Sequence, residues 1–161
     1  MGYSGSGKTS FIACAIKLLK KQLNFNIAVI KNVKNHPVDK KGKDSYIFTE
    51  SGAIFSVIQN DQNETAIFMR VQGNKLQGLL KLLKNDSFKV DIIFTEGFRN
   101  LNNPTVLCIS NLSEIEDQLT ENVKMISGVI CLKDFVENSI LDLPIVDIES
   151  QFSTFLDLFK I

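Results

Sequence analysis

The chain has 161 residues, 44% of them hydrophobic, and its eighteen basic and eighteen acidic residues cancel. That length and apolar content suit one domain over residues 1–161 with a sizeable core, while the balanced charge gives no general footprint for nucleic acid or for an anionic membrane. No apolar run reaches the roughly 18 residues of a membrane span, and Cys14, Cys108 and Cys131 lack metal-ligand or C-x-x-C spacing, which suits reduced core thiols of a cytoplasmic protein.

Gly2-Tyr3-Ser4-Gly5-Ser6-Gly7-Lys8-Thr9 completes a G-x-x-x-x-G-K-[ST] phosphate loop. The chemistry asks for backbone N–H groups that cradle phosphate oxygens, a lysine (Lys8) reaching the β- and γ-phosphates, and a hydroxyl (Thr9) on Mg²⁺. Phe11, Ile12, Ala15, Ile16, Leu18, Leu19 and Leu23 then recur at helical spacing, with Lys17, Lys20, Lys21 and Gln22 between them. The pattern predicts an amphipathic helix over about residues 7–22, with its free N–H groups and the positive end of its dipole toward the phosphates. A Gly/Ser-rich disordered end would have no reason to run straight into such a helix. The strand that normally aims a phosphate loop is missing in front of it. Leaving its neighbours' backbone groups unpaired would cost about 1–3 kcal/mol each, against a domain's net stability of about 5–15 kcal/mol. The expectation is that the natural chain begins several residues upstream of Met1, and equal solubility and nucleotide binding by an extended version would count against it.

Residues 26–30 form a short apolar run that suits a strand buried on both faces, and the polar stretch 31–43 reads as a loop. A short helix is predicted over 44–51, with Asp44 or Ser45 as its N-cap. Strands at 53–59 and 66–71, separated by the turn cluster 60–63, predict an antiparallel hairpin. Leu76, Leu79, Leu80, Leu82 and Leu83 mark another helix. Strands follow at 90–95, 105–109, 125–131 and 144–148, and a last helix covers 151–159. The alternation predicts an α/β fold of the phosphate-loop NTPase type. Its sheet is mostly parallel, with helices on both faces, an antiparallel edge hairpin and the first strand absent. Ligands in such sheets lie beyond the carboxyl ends of the strands.

Two features fall at those ends, Lys31-Asn32 and Glu96-Gly97-Phe98-Arg99. A carboxylate at the second place, Glu96, can hold Mg²⁺ through water or orient an attacking water; Asp91 lies at the strand's other end. Asp39, Lys43 and Asp44 form a further charged cluster, which spacing alone assigns equally well to a solvated loop. His36 is the only histidine, so no multi-histidine metal site forms within one chain. No Asn-Lys-x-Asp guanine motif is present, because Asn74-Lys75-Leu76-Gln77 lacks the carboxylate. Asp134, after the strand that includes Val129, is a candidate guanine reader, and a helix N-cap is the alternative. Of the two arginines, Arg99 lies close enough to Glu96 to approach a phosphate or a second subunit, with a surface role as the default.

Together these pieces resemble the MobB family of molybdopterin-guanine dinucleotide biosynthesis. The matching segments are the phosphate loop, Val29-Ile30-Lys31, Asp39-Lys40-Lys41-Gly42-Lys43-Asp44-Ser45-Tyr46 with Ser51-Gly52-Ala53, and Phe94-Thr95-Glu96-Gly97-Phe98-Arg99 with Pro104. They occur in the family's order over the first two-thirds of the chain. The phosphate loop is widely shared, whereas Gly42-Lys43-Asp44-Ser45 and Glu96-Gly97-Phe98 in this order are much more specific. The resemblance implies a cytoplasmic GTP-binding homodimer with weak Mg²⁺-dependent GTPase activity. It would assist a MobA-type molybdopterin guanylyltransferase and molybdopterin-handling proteins. By that similarity Gly5, Ser6, Gly7, Lys8, Thr9 and Ser10 hold the phosphates and Mg²⁺, Glu96 and Asp39 sit near the metal and γ-phosphate, and Lys43, Asp44 and Ser45 shape the same pocket. Where the family is commonly His-rich, this chain has Asn32-Val33-Lys34-Asn35-His36. A small-molecule kinase with the same loop, or an adaptor merely stabilised by nucleotide, are the alternative functions.

Overall fold

A computed structural model describes residues 1–34, 36–69, 75–84, 88–133 and 138–161. In chain order the elements are α1 (Lys8–Leu23), β1 (Ile27–Lys31), α2 (Asp44–Glu50), β2 (Phe55–Gln59), β3 (Thr65–Met69), α3 (Lys75–Leu83), β4 (Ile92–Glu96), β5 (Thr105–Cys108), β6 (Val123–Ser127), β7 (Ser139–Ile140), β8 (Leu143–Pro144) and α4 (Phe152–Phe159), with 3-10 turns at Leu112–Glu114 and Val129–Leu132. They divide into two compact units, Met1–Asn32 with Val90–Ile161, and Val33–Lys89.

In the first unit β1 runs parallel to β4, in register from Ile27 opposite Ile92 to Lys31 opposite Glu96. Asp91 fixes the entrance of the pair: its carboxylate accepts from the Asn26 N–H at 2.7 Å, and its own N–H donates to the Asn26 carbonyl at 2.9 Å. β5 runs parallel to β6 with a register shift between Thr105 and Val106. Lys124 is the extra residue, and such a bulge flips the side-chain alternation. Val123 and Ile126 therefore face the same core cluster although they are three apart, while Met125 faces the other.

The first cluster joins Phe11, Ala15 and Leu19 of α1 to Phe152 and Phe155 of α4 over Cys108, Met125 and Val146. The spacing of four along α1 aligns its three buried residues on one stripe. Phe11 meets Phe155 edge-on at 5.9 Å, and Phe155 also contacts Phe159 at 5.1 Å. Each such ring contributes about 1.5–3 kcal/mol through burial. Leu107, Ile109, Ile115, Val123, Ile126 and Ile130 form the second cluster, covered by 3-10 turns, so that α1 and α4 share one side of β5 and β6.

The strand predicted over 125–131 stops at Ser127, where Gly128 at φ +97° turns the chain into the 3-10 turn. The stretch predicted as a strand over 144–148 begins in the β7–β8 hairpin. It then runs beside β6 only briefly, through a parallel bridge between Ile126 and Ile145 and a 2.9 Å bond from the Val146 N–H to the Ile126 carbonyl. Among the described residues, the sheet is thus a set of two-stranded pieces. On the side of β5 away from β6, the Met1 ammonium donates to the Val106 carbonyl and the Cys108 N–H donates to the Met1 carbonyl at 2.8 Å. A cavity of about 230 Å³, lined by Ile92 and Phe94 of β4 and by Val106 and Cys108 of β5, lies between these strands.

In the second unit β2 and β3 form the expected antiparallel hairpin, from Phe55 opposite Met69 to Gln59 opposite Thr65, and α2 packs against both. Asn60 organises the turn: its Oδ1 accepts the N–H groups of Gln62 and Glu64 at 3.0 and 2.9 Å, the side-chain mimicry of a turn that favours asparagine there. Residues 70–71 of the predicted second strand lie outside the described residues.

Candidate functional site

The phosphate loop ends at Gly7, the N-cap of α1, with no side-chain capping bond and no acidic residue in the first turn. An uncapped start leaves amide donors without intrahelical partners and leaves the positive dipole end uncompensated. At the other end Lys20 and Lys21 complement the dipole. Ser6 is fully buried, and its Oγ has no hydrogen-bond partner. Such an orphaned hydroxyl costs about 1–3 kcal/mol unless a ligand or water meets it. Lys8 Nζ donates to the Tyr3 carbonyl, folding its ammonium back over the loop. Thr9 and Ser10 stand exposed on the first turn.

The loop is seated on the turn after β6. The Val129 N–H donates to the Ser6 carbonyl at 3.2 Å, and a Cβ on Gly128 would stand 2.2 Å from that same oxygen. A strand over 125–131 does not anticipate this support; the isolated Gly128 inside the run is its only sequence signal.

Lys31 and Glu96, each expected just after its strand, are instead the last residues of β1 and β4 and stand opposite each other. Lys31 Nζ lies 3.4 Å from Glu96 Oε1, with side-chain exposures of 53% and 12%. A pair whose lysine is this exposed adds little stability, but it neutralises a carboxylate that is mostly buried. The Asn32 N–H donates to the Glu96 carbonyl at 2.8 Å, and Asn32 Nδ2 to the Gly97 carbonyl at 3.2 Å, which ties the two strand ends together. Glu96, Lys8, Gly2 and Arg99 line one cavity. Arg99 sets its guanidinium 5.7 Å from the centre of the Tyr3 ring, a cation–π contact that brings this arginine to the phosphate loop itself. Burial pushes the Cys108 thiol up to about 11, and burial likewise lowers the Met1 ammonium from its ordinary 8.0.

Within the second unit, Ser45 Oγ donates to Asp39 Oδ1 at 3.0 Å, while Asp39 Oδ2 is buried without a partner. The N-cap of α2 is Lys43, with extended backbone and no capping side chain. Asp44 and Ser45 are therefore inside the helix rather than at its cap: Ser45 turns to Asp39, and Asp44 supplies first-turn charge to the dipole. Asp134 and Arg70 lie outside the described residues.

No group of three or more His, Cys, Asp or Glu side chains among the described residues is placed to hold a metal. Mg²⁺ commonly keeps its waters and takes one or two protein oxygens plus substrate phosphates. The Glu96 carboxylate shares a cavity with Lys8 of the loop, beside an uncapped helix start and an unpartnered Ser6 hydroxyl, a setting that suits a cation carried by a phosphate.

Loop, helix and parallel strands define a phosphate-loop NTPase-like α/β fold. Residues 1–131 match the family described as Molybdopterin guanine dinucleotide synthesis protein B, MobB. The chain belongs to the MobB family. It is 30% identical over 131 residues to a protein of Methanocaldococcus jannaschii provisionally named a molybdopterin-guanine dinucleotide biosynthesis adapter protein, covering 78% of this chain and 52% of that one. It is 32% identical over 107 residues to the molybdopterin-guanine dinucleotide biosynthesis adapter protein of Haemophilus influenzae, covering 66% and 58%. The chain thus spans a little over half the length of these curated relatives. Among solved structures, Bacillus subtilis MobB superposes with a TM-score of 0.73 at 23% identity, over 98% of this chain and 94% of that one. A MobB homolog from Bacillus stearothermophilus gives 0.68 at 15%, over 99% and 95%. At these identities the structures speak to the fold.

Proposed function

We propose that the protein binds GTP with Mg²⁺ at the phosphate loop, hydrolyses it slowly, and acts as an adaptor in molybdopterin-guanine dinucleotide biosynthesis. Its partners would be a MobA-type guanylyltransferase and molybdopterin-handling proteins in the cytoplasm. The observation that carries the reading is the uncapped start of α1 beneath a loop whose buried Ser6 hydroxyl lacks a partner, in a chain of this family.

In this proposal the amides of residues 5–10 bind the phosphate oxygens, Lys8 turns from the Tyr3 carbonyl onto the β- and γ-phosphates, and Thr9 with Glu96 holds the cation. Bound Mg²⁺ would neutralise phosphate charge. The Asp39 carboxylate, with one buried oxygen unpartnered, is the second acid that the family resemblance assigns near the metal, and Lys43, Asp44 and Ser45 are assigned with it. Slow turnover follows from Glu96 being held by Lys31 and from Arg99 being engaged on Tyr3, so that neither is free to act on a γ-phosphate without rearranging. A homodimer is supported by one face of the hairpin, where Phe55, Val57, Ile67 and Met69 are 55%, 49%, 50% and 37% exposed, since a contiguous apolar face of this kind marks an interaction surface.

Product analysis with GTP and Mg²⁺ tests the reading. Slow release of inorganic phosphate supports it; a phosphorylated metabolite would make the protein a kinase, and no turnover with partner affinity indifferent to GTP or GDP would leave only an adaptor.

A further inference from the structure

A second cavity, of about 170 Å³, opens beside the phosphate loop. Gly7 and Ser10 form one wall, Val129 and Leu132 of the 3-10 turn another, and Asp147 and Ile148 a third. These segments follow β6 and the stretch that pairs with it, so the cavity sits at the carboxyl ends of parallel strands, where ligands of such folds are held. Whole-ligand pockets start at about 300 Å³; this cavity suits one planar ring system joined to something already bound next door.

The chemistry of the walls is specific. The Asp147 carboxylate is fixed: Oδ2 accepts from Ser150 Oγ at 2.7 Å and Oδ1 from the Glu149 N–H at 3.3 Å. Its backbone is tied as well, with the Asp147 N–H donating to Gln151 Oε1 at 3.0 Å. Each carboxylate oxygen accepts about two bonds, so a position on each remains. Leu132 is 86% exposed and Ile148 only 4%, giving an apolar floor and an exposed apolar rim.

We propose that this cavity holds the nucleobase and that Asp147 reads guanine. The inference rests on the phosphate loop being the triphosphate site. A carboxylate presents only acceptors, and the edge of guanine bearing N1–H and the N2 amino group presents only donors. The corresponding ring nitrogen of adenine is an acceptor, whose lone pair would face the carboxylate. Leu132 closes over the ring face, and Ser10 marks the way from the phosphates to the base. This assigns the discrimination to a residue within an Asp147-Ile148-Glu149-Ser150-Gln151 turn that carries no guanine-binding sequence motif.

The test is calorimetric titration of the wild-type protein and two variants with GTP, ATP, xanthosine triphosphate and inorganic tripolyphosphate, all with Mg²⁺. For Asp147→Asn the expected result is a loss of GTP affinity of about tenfold or more, from the unmet guanine donors. Affinity for xanthosine triphosphate should rise, because the asparagine amide donates to the xanthine C2 carbonyl, and tripolyphosphate affinity should not change. An unchanged ratio of GTP to ATP affinity overturns the assignment while leaving the phosphate site intact. Leu132→Ser, at an exposed position, serves if the first variant fails to fold: weaker GTP binding with unchanged tripolyphosphate binding supports the pocket, and unchanged GTP binding overturns it. If the wild type takes up neither tripolyphosphate nor any nucleotide, the phosphate-site reading itself falls, and this inference with it.

Discussion

Gly128→Ala probes the seat of the phosphate loop. The residue holds φ +97°, and a Cβ there would lie 2.2 Å from the Ser6 carbonyl oxygen and 3.0 Å from Cys108 Cβ. A non-glycine residue at such a φ costs about 1–3 kcal/mol, and forcing atoms into a packed site costs about 1–3 kcal/mol more. The sum, about 2–6 kcal/mol, takes a large share of a typical domain's stability, and at this chain length each kcal/mol lowers Tm by about 2–4 °C. Because the obstructing atom is backbone of the phosphate loop, the cheapest relief moves Ser6 and breaks its bond from the Val129 N–H. Tripolyphosphate affinity should therefore fall even in folded variant protein at low temperature. Gly52→Ala is the control: φ is +107° but nothing lies within 4 Å of its Cβ, so only the conformational cost of about 1–3 kcal/mol applies. Circular dichroism melts with parallel calorimetry decide the matter. A Gly128→Ala protein melting within about 2 °C of wild type, or no more destabilised than Gly52→Ala and binding tripolyphosphate normally, would refute the reasoning.

Phe155→Ala removes a ring that is 1% exposed and contacts Phe11, Phe152 and Phe159, and should cost about 3–5 kcal/mol in urea unfolding. Cys108 is held neutral: its thiol rises from the ordinary 9.0 to about 11. A raised folded-state value favours the protonated form, so this stabilisation is complete below pH 9 and is lost between about pH 9 and 11, amounting to about 2–3 kcal/mol. Cys108→Ala should flatten the alkaline fall in stability, and an equally steep fall would contradict the assignment. If the exposed apolar face of the hairpin carries the proposed homodimer, Ile67→Glu should shift light-scattering mass from dimer to monomer without lowering Tm by more than a few degrees; an unchanged dimer would move the interface elsewhere, and a monomeric wild type would refute the proposal.

Much of the site's first unit was legible because local chemistry wrote it. Glycine spacing followed by a helical apolar stripe is enough to place residues 2–7 before α1, and the two runs ending at Ile30 and Thr95 are enough to place the Lys31 and Glu96 side chains at one end of a parallel pair. Their direct opposition was not legible, since register depends on tertiary alignment rather than on either segment. The strand expected over 125–131 stops for a similar reason: Ser127 and Gly128 interrupt an otherwise apolar run without saying where it turns, and what holds the turn at Gly128 is the approach of the Ser6 carbonyl, made by a segment more than a hundred residues away. At α2 the Asp44 and Ser45 side chains are intrinsic N-cap types, yet the Ser45 hydroxyl finds Asp39 and the cap falls to Lys43. Arg99 reads as a surface arginine until the fold places it on Tyr3.

Every role proposed for this chain requires the phosphate loop to be an anion site. Calorimetric titration of the wild type and Lys8→Ala with GTP, ATP and tripolyphosphate in Mg²⁺ measures it directly. Saturable binding of GTP and of tripolyphosphate by the wild type, strongly weakened in the folded variant, is the predicted result. Folded wild-type protein that takes up none of these ligands, or a Lys8→Ala variant that binds them as tightly, would contradict it.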